Sequence, residues 1–400
     1  MTKARLPIAI GWAAVLCAVL LAQTYVRAQR PNGIDLTSYL LSADVLWHGG
    51  SPYVLPTPFP YVYPATLAFL LIPLTFVPAA AAVLVWFALN VAAAVWCTRA
   101  IVLAMRPDAR WVDVGPFLAL FFTVFFTIAQ SNLRNGQVNF IVLALSVFAA
   151  LRPRSVVAWP LSIALKVLPL VLAPYFLLRR SWRWMLVSVV MIVVWGLVPA
   201  VVVGRRIVDI YQQFWRVLQV MNLSRVETLD FSFAGTVSWI TRAPLTPVLE
   251  ASGAAVVLGW IIAVDGRRLR VEALRPMALY LLAVPLVSPH SEVHHLAFML
   301  PAAAVVTAAL WWEWPSAGRR QQLSAIVAVT LYLVATASPI LTGPLLFASL
   351  IAFGVALMNM TRPGRLPAPH SSAGKPAATE STDGGANHTV ASGFSQTTSS

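Results

Sequence analysis

The stretch that decides the fold class is Ala79–Met105, AAAAVLVWFALNVAAAVWCTRAIVLAM, in which Arg99 is the one charged residue. A helix needs about 20 apolar residues to cross the hydrocarbon core of a bilayer. Apolar runs long enough for this recur along almost the whole chain, which is 59% hydrophobic and 10% charged over 400 residues. A soluble fold of this size would carry more charge on its surface. We therefore predict an all-α, polytopic integral membrane protein.

The apolar runs predict a bundle of about twelve transmembrane helices. We expect them to form one membrane domain over residues 1–365. The tail, residues 366–400, is rich in Ser, Thr, Gly, Ala and Pro without apolar periodicity, which predicts a disordered segment on the cytoplasmic side. The candidate spans are Pro7–Val26, Tyr61–Val77, Ala79–Met105, Val112–Gln130, Val138–Leu151, Val156–Leu178, Trp184–Val203, Pro244–Val264, Pro276–Val287, His295–Trp312, Ala325–Ser338 and Gly343–Met360.

The net charge of +14 is distributed as a topology signal rather than as a nucleic-acid interface. Basic residues form short clusters between apolar runs, for example within Arg179–Arg183 and Arg267–Arg270. Such loops stay cytoplasmic under the positive-inside rule. This predicts a multi-pass plasma-membrane protein with both termini inside and no nucleic-acid partner. The polar connections 27–60 and 205–231, and the segment 288–295, then lie outside.

One section of the chain conflicts with this rule. Strict alternation of spans places Arg106–Arg110 and Arg152–Arg154 outside, although both are basic. The conflict is removed if Val156–Leu178 folds as two short half-helices broken near Lys166 and Pro169, with a matching change upstream. Both arrangements of this section stay open from the sequence.

The outer carboxylates are the candidates for a general base. Asp35 follows the first span by a few residues, at the height of a lipid head group. A short helix through Thr37–Trp47 would place Tyr39 on the same face as Asp35. An exposed aspartate at a helix start is the alternative interpretation. The outer carboxylates are Asp35, Asp44, Asp209, Glu227, Asp230 and Glu292.

Two further features point to an anion site. Lys166 is the one lysine within an apolar run, and an ionisable group there is costly and functional by default, with a phosphate as its natural partner. Snorkelling to the interface is the alternative. Half of the six histidines lie in Ser288–His295, SPHSEVHH. Phosphate or hydroxyl binding, a metal shared by His290 and His294, and a structural role are open for this segment.

No HExxH or other zinc spacing is present, so we predict no metal. Cys17 and Cys97 lie within apolar runs and are interpreted as small apolar fillers. The chain has no phosphate-cradling glycine-rich loop, and we predict no cofactor.

In this order along the chain, the motifs resemble bacterial GT-C glycosyltransferases of family 87, the polyprenyl-phosphomannose-dependent alpha-mannosyltransferases of actinobacteria. The resemblance covers about Gly33 to His295. One departure stands before the histidine pair, where the family usually has Trp and this chain has Ser291, Glu292 and Val293. The motifs are DLTSY at Asp35–Tyr39, GGSPY at Gly49–Tyr53, YVYP at Tyr61–Pro64 followed by Pro73, NGQVN at Asn135–Asn139, KVLP at Lys166–Pro169 before RRSWR at Arg179–Arg183, and Ser288-Pro289 before His294-His295.

The resemblance implies a GT-C-like bundle with a functional outer loop after the first helix. It implies that Asp35 is the catalytic carboxylate and that Lys166, His294 and His295 line the donor phosphate site. We further predict substrate contacts from side chains in the matching motifs, Tyr39, Tyr63, Gln137 and Asn139.

The expected reaction transfers a sugar, with mannose favoured, from a polyprenyl-phosphate carrier to a glycolipid or lipoglycan acceptor of the cell envelope, among the lipids of the membrane. In-line attack would invert the anomeric centre, with a base to deprotonate the acceptor. An arabinofuranosyl or glucosyl transferase using the same carrier is the alternative within the class. A transporter or flippase for lipid-linked sugars, and a non-catalytic structural partner, are the alternatives outside it. A transporter predicts internal repeats, and no repeat is visible.

Overall fold

The computed structural model describes residues 5–29, 33–54, 60–223, 230–269, 272–288, 291–337 and 342–360. Within these ranges every regular element is helical, which confirms the all-α prediction. The predicted tail, residues 366–400, lies outside the described residues, as do Glu227, Pro289 and His290.

In the described part of the first half of the chain there are nine α-helices, of which two, the first and the fourth, are each long enough for a full crossing. A 3₁₀ turn, Leu168–Leu172, separates the eighth from the ninth. The nine are α1 Arg5–Ala28, α2 Ile34–Trp47, α3 Ala65–Thr75, α4 Ala79–Met105, α5 Trp111–Val124, α6 Phe126–Asn135, α7 Asn139–Leu151, α8 Ala158–Leu165 and α9 Ala173–Arg179.

The second half of the described chain adds nine more helices, with short turns of tighter or wider helix at Gly204–Arg206, Asp265–Leu269 and Val293–Met299. They are α10 Trp182–Leu197, α11 Ala200–Val203, α12 Ile207–Leu223, α13 Phe233–Thr241, α14 Pro247–Val264, α15 Leu274–Val287, α16 Leu300–Glu313, α17 Arg319–Ala337 and α18 Thr342–Asn359.

Four helical segments of the described chain are long and apolar enough to cross a membrane, and up to six if each of two bent pairs is one span. The bends are 74° between α5 and α6 and 42° between α10 and the segment that continues into α12. The count of about twelve is therefore not confirmed. Five shorter apolar helices account for most of the difference, among them α3, α7 and α15.

The structure has a helix break at Lys166, as in one of the two arrangements that the sequence left open. α8 ends at Leu165, and Lys166 itself is extended, with φ −154° and ψ 128°. Pro169 begins the following 3₁₀ turn, where its missing N–H costs no helical hydrogen bond. The lysine thus sits at a discontinuity in the backbone, which allows its side chain to leave the apolar run and enter the protein interior.

The centre of the bundle is built on α15 and α16. Every residue of α15 from Arg275 to Leu286 is buried, as is the start of α16 over Leu300–Val306. A helix that is apolar on all sides is surrounded either by lipid or by other helices, and the burial of α15 shows that other helices surround it. The 3₁₀ turn Val293–Met299 leads directly into α16 and carries the histidine pair. The pair is therefore anchored to the most buried part of the molecule.

A close backbone approach at Gly136 fixes α2 in place. Gly136 ends α6 in the left-handed region, with φ +67°. A Cβ there would lie 2.6 Å from the Cβ of Leu36, so glycine is required by both conformation and space. The Trp86 indole donates to the Gly136 carbonyl at 2.7 Å. This contact sets the first turn of α2, with Asp35, against the turn that leads to Gln137.

A second buried polar cluster joins α9 to the end of α14. Both terminal nitrogens of Arg179 donate to Asp265, at 2.7 and 2.6 Å. Arg179 also donates to the carbonyls of Glu272 and Leu269, at 3.0 and 3.1 Å, and its guanidinium lies 4.6 Å above the ring of Tyr175. Every part of this cation has a partner, so the cluster acts as a brace between helices.

Candidate active site

The carboxylate of Asp35 lies at the start of α2, which is not one of the candidate spans. Gly33 caps the helix with φ +50°, and a carboxylate in a first helical turn is favoured by the helix dipole. Burial raises the pKa of Asp35 to about 6, although Lys166 and a hydrogen bond from Gln137 lower it. A carboxyl with a pKa near neutrality is suited to accept a proton.

Two tyrosines converge on Gln137 beside this carboxylate. The hydroxyls of Tyr63 and Tyr39 donate to the Gln137 side-chain oxygen at 2.9 and 3.4 Å. The Gln137 amide nitrogen is then left to donate to Asp35. Burial is the main cause that raises the pKa of both phenols, which keeps them hydrogen-bond donors. The structure therefore brings together four predicted site residues from three segments of sequence.

The ammonium group of Lys166 is buried next to the same cluster. Its Nζ donates to the side-chain oxygen of Asn139 at 2.8 Å and lies 5.2 Å from the ring centroid of Tyr63. It interacts electrostatically with Asp35 and Glu292, but among the described residues neither carboxylate forms an ion pair with it. Lys166 is consequently a positive charge held by a neutral amide.

The histidine pair completes the cluster. The rings of His294 and His295 are 4.3 Å apart, and His294 Nδ1 lies 3.3 Å from a carboxylate oxygen of Glu292. The backbone N–H of Glu292 donates to His295 Nδ1 at 3.2 Å, which places the proton of that imidazole on Nε2. The His294 carbonyl accepts from Asn132 and Asn139, both at 3.0 Å. The metal alternative required His290, which lies outside the described residues.

Three polar residues of this region were not singled out from the sequence for these contacts. Asn132 is fully buried on α6 and bonds the His294 carbonyl. Asp230, one of six outer carboxylates, accepts from the backbone N–H of Ser291 and Ser232, at 3.1 and 2.8 Å, and so holds the loop before the histidines. Glu292 contacts His294 directly. Because Asn132 is neutral, it leaves no charge pattern in its helix from which its contact with the His294 carbonyl could be predicted.

The remaining outer carboxylates lie elsewhere. Asp44, also on α2, has a side chain that is 56% exposed and lies 3.6 Å from His48. Asp209 belongs to α12, whose Phe214 packs on Tyr53 at 5.5 Å between ring centroids. Neither forms part of the cluster around Lys166, so within the described residues Asp35 and Glu292 are the carboxylates that interact with this lysine.

The comparisons with known proteins agree with one another. The model of glycosyltransferase family 87 matches residues 61–289. A polyprenol-phosphate-mannose-dependent alpha-(1-2)-phosphatidylinositol pentamannoside mannosyltransferase of Mycobacterium tuberculosis (strain CDC 1551 / Oshkosh) is 27% identical over 321 residues, which cover 72% of this chain and 70% of the relative. No solved structure gives a significant match. The matched region includes Tyr63, Gln137, Asn139 and Lys166.

Proposed function

Because the chain belongs to glycosyltransferase family 87, we propose that it transfers mannose from a polyprenyl-phosphate carrier to a glycolipid or lipoglycan of the cell envelope. The observation that carries this proposal is that Asp35 and Lys166 lie in one cluster. The pKa of Asp35 is raised to about 6, and Lys166 is a buried cation without a carboxylate ion pair in the described structure. A base and an anion-binding cation in one cluster are what displacement of a phosphate by a hydroxyl requires.

In the proposed reaction, Asp35 accepts the proton of the acceptor hydroxyl as its oxygen attacks the anomeric carbon. The bond from that carbon to the phosphate oxygen breaks, and its electron pair leaves with the phosphate. Lys166 stabilises the developing charge, assisted by the imidazoles of His294 and His295. Attack from the face opposite the leaving group inverts the anomeric centre. Tyr39, Tyr63 and Gln137 hold the Asp35 carboxylate and line its approach.

The finer architecture belongs to the same proposal. A GT-C-like bundle requires that the shorter apolar helices complete crossings beyond the four to six of sufficient length. Orientation in the plasma membrane with Asp35 outside follows from the basic clusters at Arg179–Arg183 and Arg267. Impermeant thiol labelling of intact cells tests this, in a background without Cys17 and Cys97. A Cys replacing the exposed Trp215 should react and one replacing Arg267 should not; the reverse pattern inverts the topology.

The decisive experiment measures sugar transfer by purified protein in nanodiscs with radiolabelled polyprenyl phosphomannose and envelope glycolipid acceptors. Asp35→Asn keeps the size of the side chain and removes its basicity. Loss of a general base costs on the order of 10²–10⁴ in rate, so transfer should fall by at least 10²-fold while donor binding persists. Asp44→Asn is the matched control, because Asp44 is an exposed carboxylate of the same helix.

The outcomes separate the alternatives. Transfer from polyprenyl phosphoarabinose or phosphoglucose, but not from the mannose donor, would change the sugar and keep the class. Translocation of the lipid-linked sugar without any transfer would identify a flippase. Near-normal turnover by Asp35→Asn would remove the base assignment and direct attention to Glu292, the other carboxylate that interacts with Lys166.

A further inference from the structure

A pair of buried amides links Lys166 to the histidine segment. Asn132 and Asn139 are both fully buried. Asn139 accepts from Lys166 Nζ at 2.8 Å through its oxygen, and donates through its nitrogen to the side-chain oxygen of Asn132 at 2.9 Å and to the His294 carbonyl at 3.0 Å. Asn132 donates to the carbonyls of Ile128 and His294, each at 3.0 Å.

This network fixes how both amides are oriented. An ammonium group only donates, so the Asn139 atom that faces Lys166 must be its oxygen. The two hydrogens on each amide nitrogen then have one acceptor apiece. Because all donors are used, neither side chain can rotate without leaving a buried polar group unpaired, which costs about 1–3 kcal/mol.

The charge of the network matters as much as its geometry. A buried lysine is commonly compensated by a carboxylate, which cancels its charge. Here the hydrogen-bonding partner is a neutral amide, and the nearby carboxylates Asp35 and Glu292 act on Lys166 through space. The amide satisfies one N–H of the ammonium group and leaves its positive charge intact for an incoming anion.

We propose that Asn132 and Asn139 are positioning residues that lock Lys166 and the His294 segment into one phosphate-binding unit, and that the neutrality of Asn139 preserves the lysine charge for the donor phosphate. The inference rests on the proposed function and deepens it. It gives Asn139 a role through Lys166 and His294, in place of the direct substrate contact predicted from the sequence.

The test is binding of polyprenyl monophosphate and turnover of the mannose donor by purified variants in nanodiscs. Asn139→Asp keeps the acceptor for Lys166 but adds a negative charge, so we expect at least tenfold weaker binding of the phosphate probe with little change in acceptor KM. Binding should recover relative to wild type as the pH falls, because protonation of the new carboxyl restores neutrality. A purely structural residue would not give this pH-dependent recovery.

Alanine variants test whether the two amides hold Lys166 and the His294 segment in position. Asn132→Ala and Asn139→Ala should each raise donor KM at least tenfold more than Asn90→Ala, which removes a buried asparagine whose side-chain nitrogen donates within its own helix, to the carbonyl of Trp86. Melting temperatures measured alongside separate loss of folding from loss of function. Unchanged probe binding by Asn139→Asp, or effects on melting alone in the alanine variants, would overturn the inference. Failure of wild type to bind the probe would overturn the proposed function as well.

Discussion

Two of the buried cations in the described part of the chain, Arg179 and Lys166, have opposite kinds of hydrogen-bond partner. Arg179 is matched by the two oxygens of Asp265 and by two carbonyls, and the side chains of this pair are 9% and 0% exposed. Lys166 is equally hidden, yet its hydrogen bond goes to a neutral amide. The arginine has a complete set of partners and stabilises the fold. The lysine interacts with Asp35 and Glu292 only through space, and its ammonium group is suited to bind an anion.

The contrast between the partners of Arg179 and those of Lys166 helps to distinguish a structural ion from a functional one when the ligand is unknown. Burying a charge costs several kcal/mol, and a partner of opposite charge offsets most of that cost. Where the offset is present, as at Asp265, removal of a partner should damage folding first. Where no carboxylate bonds the cation directly within the described residues, as at Lys166, removal of the cation should damage activity first.

The largest effect, on the free energy of unfolding, is expected from the ion pair of Arg179 and Asp265. Asp265→Ala leaves Arg179 buried without its counter-ion, which should lower the free energy of unfolding by about 3–5 kcal/mol. The measurement is denaturant unfolding in mild detergent. Arg183→Ala removes an exposed arginine nearby and serves as control. A loss of activity in folded Asp265→Ala, without loss of stability, would contradict a structural role for this ion pair.

A slightly smaller effect, on activity rather than on stability, is expected at Lys166. Lys166→Ala removes the charge that, in the proposed reaction, stabilises the leaving phosphate, and loss of one such group typically costs about 10²–10³ in rate. kcat/KM for the donor should fall by that amount while the melting temperature changes little. Lys166→Arg should not restore activity, because the planar guanidinium does not reproduce a compact point charge. Unaltered donor kinetics in Lys166→Ala would favour snorkelling.

The packing around the cluster of Asp35 and Lys166 should not tolerate an added Cβ at Gly136. Gly136→Ala would place a Cβ 2.6 Å from that of Leu36, at a backbone φ of +67°. Overpacking of this kind costs about 1–3 kcal/mol, and it should separate Asp35 from Gln137 and reduce transfer. Gly115→Ala is the control, since open space surrounds that glycine. Equal activity of the two variants would show that α2 can shift without consequence.

The smallest effect concerns pH. With a pKa of about 6, Asp35 loses its basic form in acid, so donor kcat/KM should fall about tenfold per unit below pH 6. Asp35→Asn should lack this limb in its residual rate. The folded state holds the proton more tightly than the unfolded chain, in which the pKa of Asp35 is near its ordinary value of 3.8. Stability should therefore fall as the pH rises from about 4 to about 6 in wild type and less in the variant. A flat rate profile would contradict the base assignment.

Sequence reasoning succeeded where a residue was chemically out of place. Lys166 in an apolar run and Asp35 just after the first span are exceptions that a one-dimensional pattern reveals, and a break near Lys166 was one of the two arrangements left open by the conflict between charge and alternation. The number of spans was not predictable in the same way. Hydropathy does not distinguish a short helix buried in protein, such as α15, from one that crosses lipid.

The supporting residues were harder to predict for a physical reason. The contacts of Asn132 and Asp230 are with backbone atoms of a segment far away in sequence, at His294 and Ser291. No local periodicity encodes such a partner, and an asparagine is too small a departure from an apolar helix to indicate one. These residues become visible only when the helices are assembled.

The wide spacing of the cluster along the chain has a consequence for biosynthesis. Asp35 and Lys166 belong to the first half of the sequence, whereas the His294 carbonyl that closes the amide network belongs to the second half. At roughly 5–20 residues per second, several seconds or more of translation separate the emergence of Lys166 from that of His294. During this interval the nascent chain has a lysine and two amides awaiting their last acceptor. On the proposed function, the chain can bind its donor only after His294 has been synthesised, and a chain terminated before that residue would reach the membrane without the ability to consume the carrier lipid.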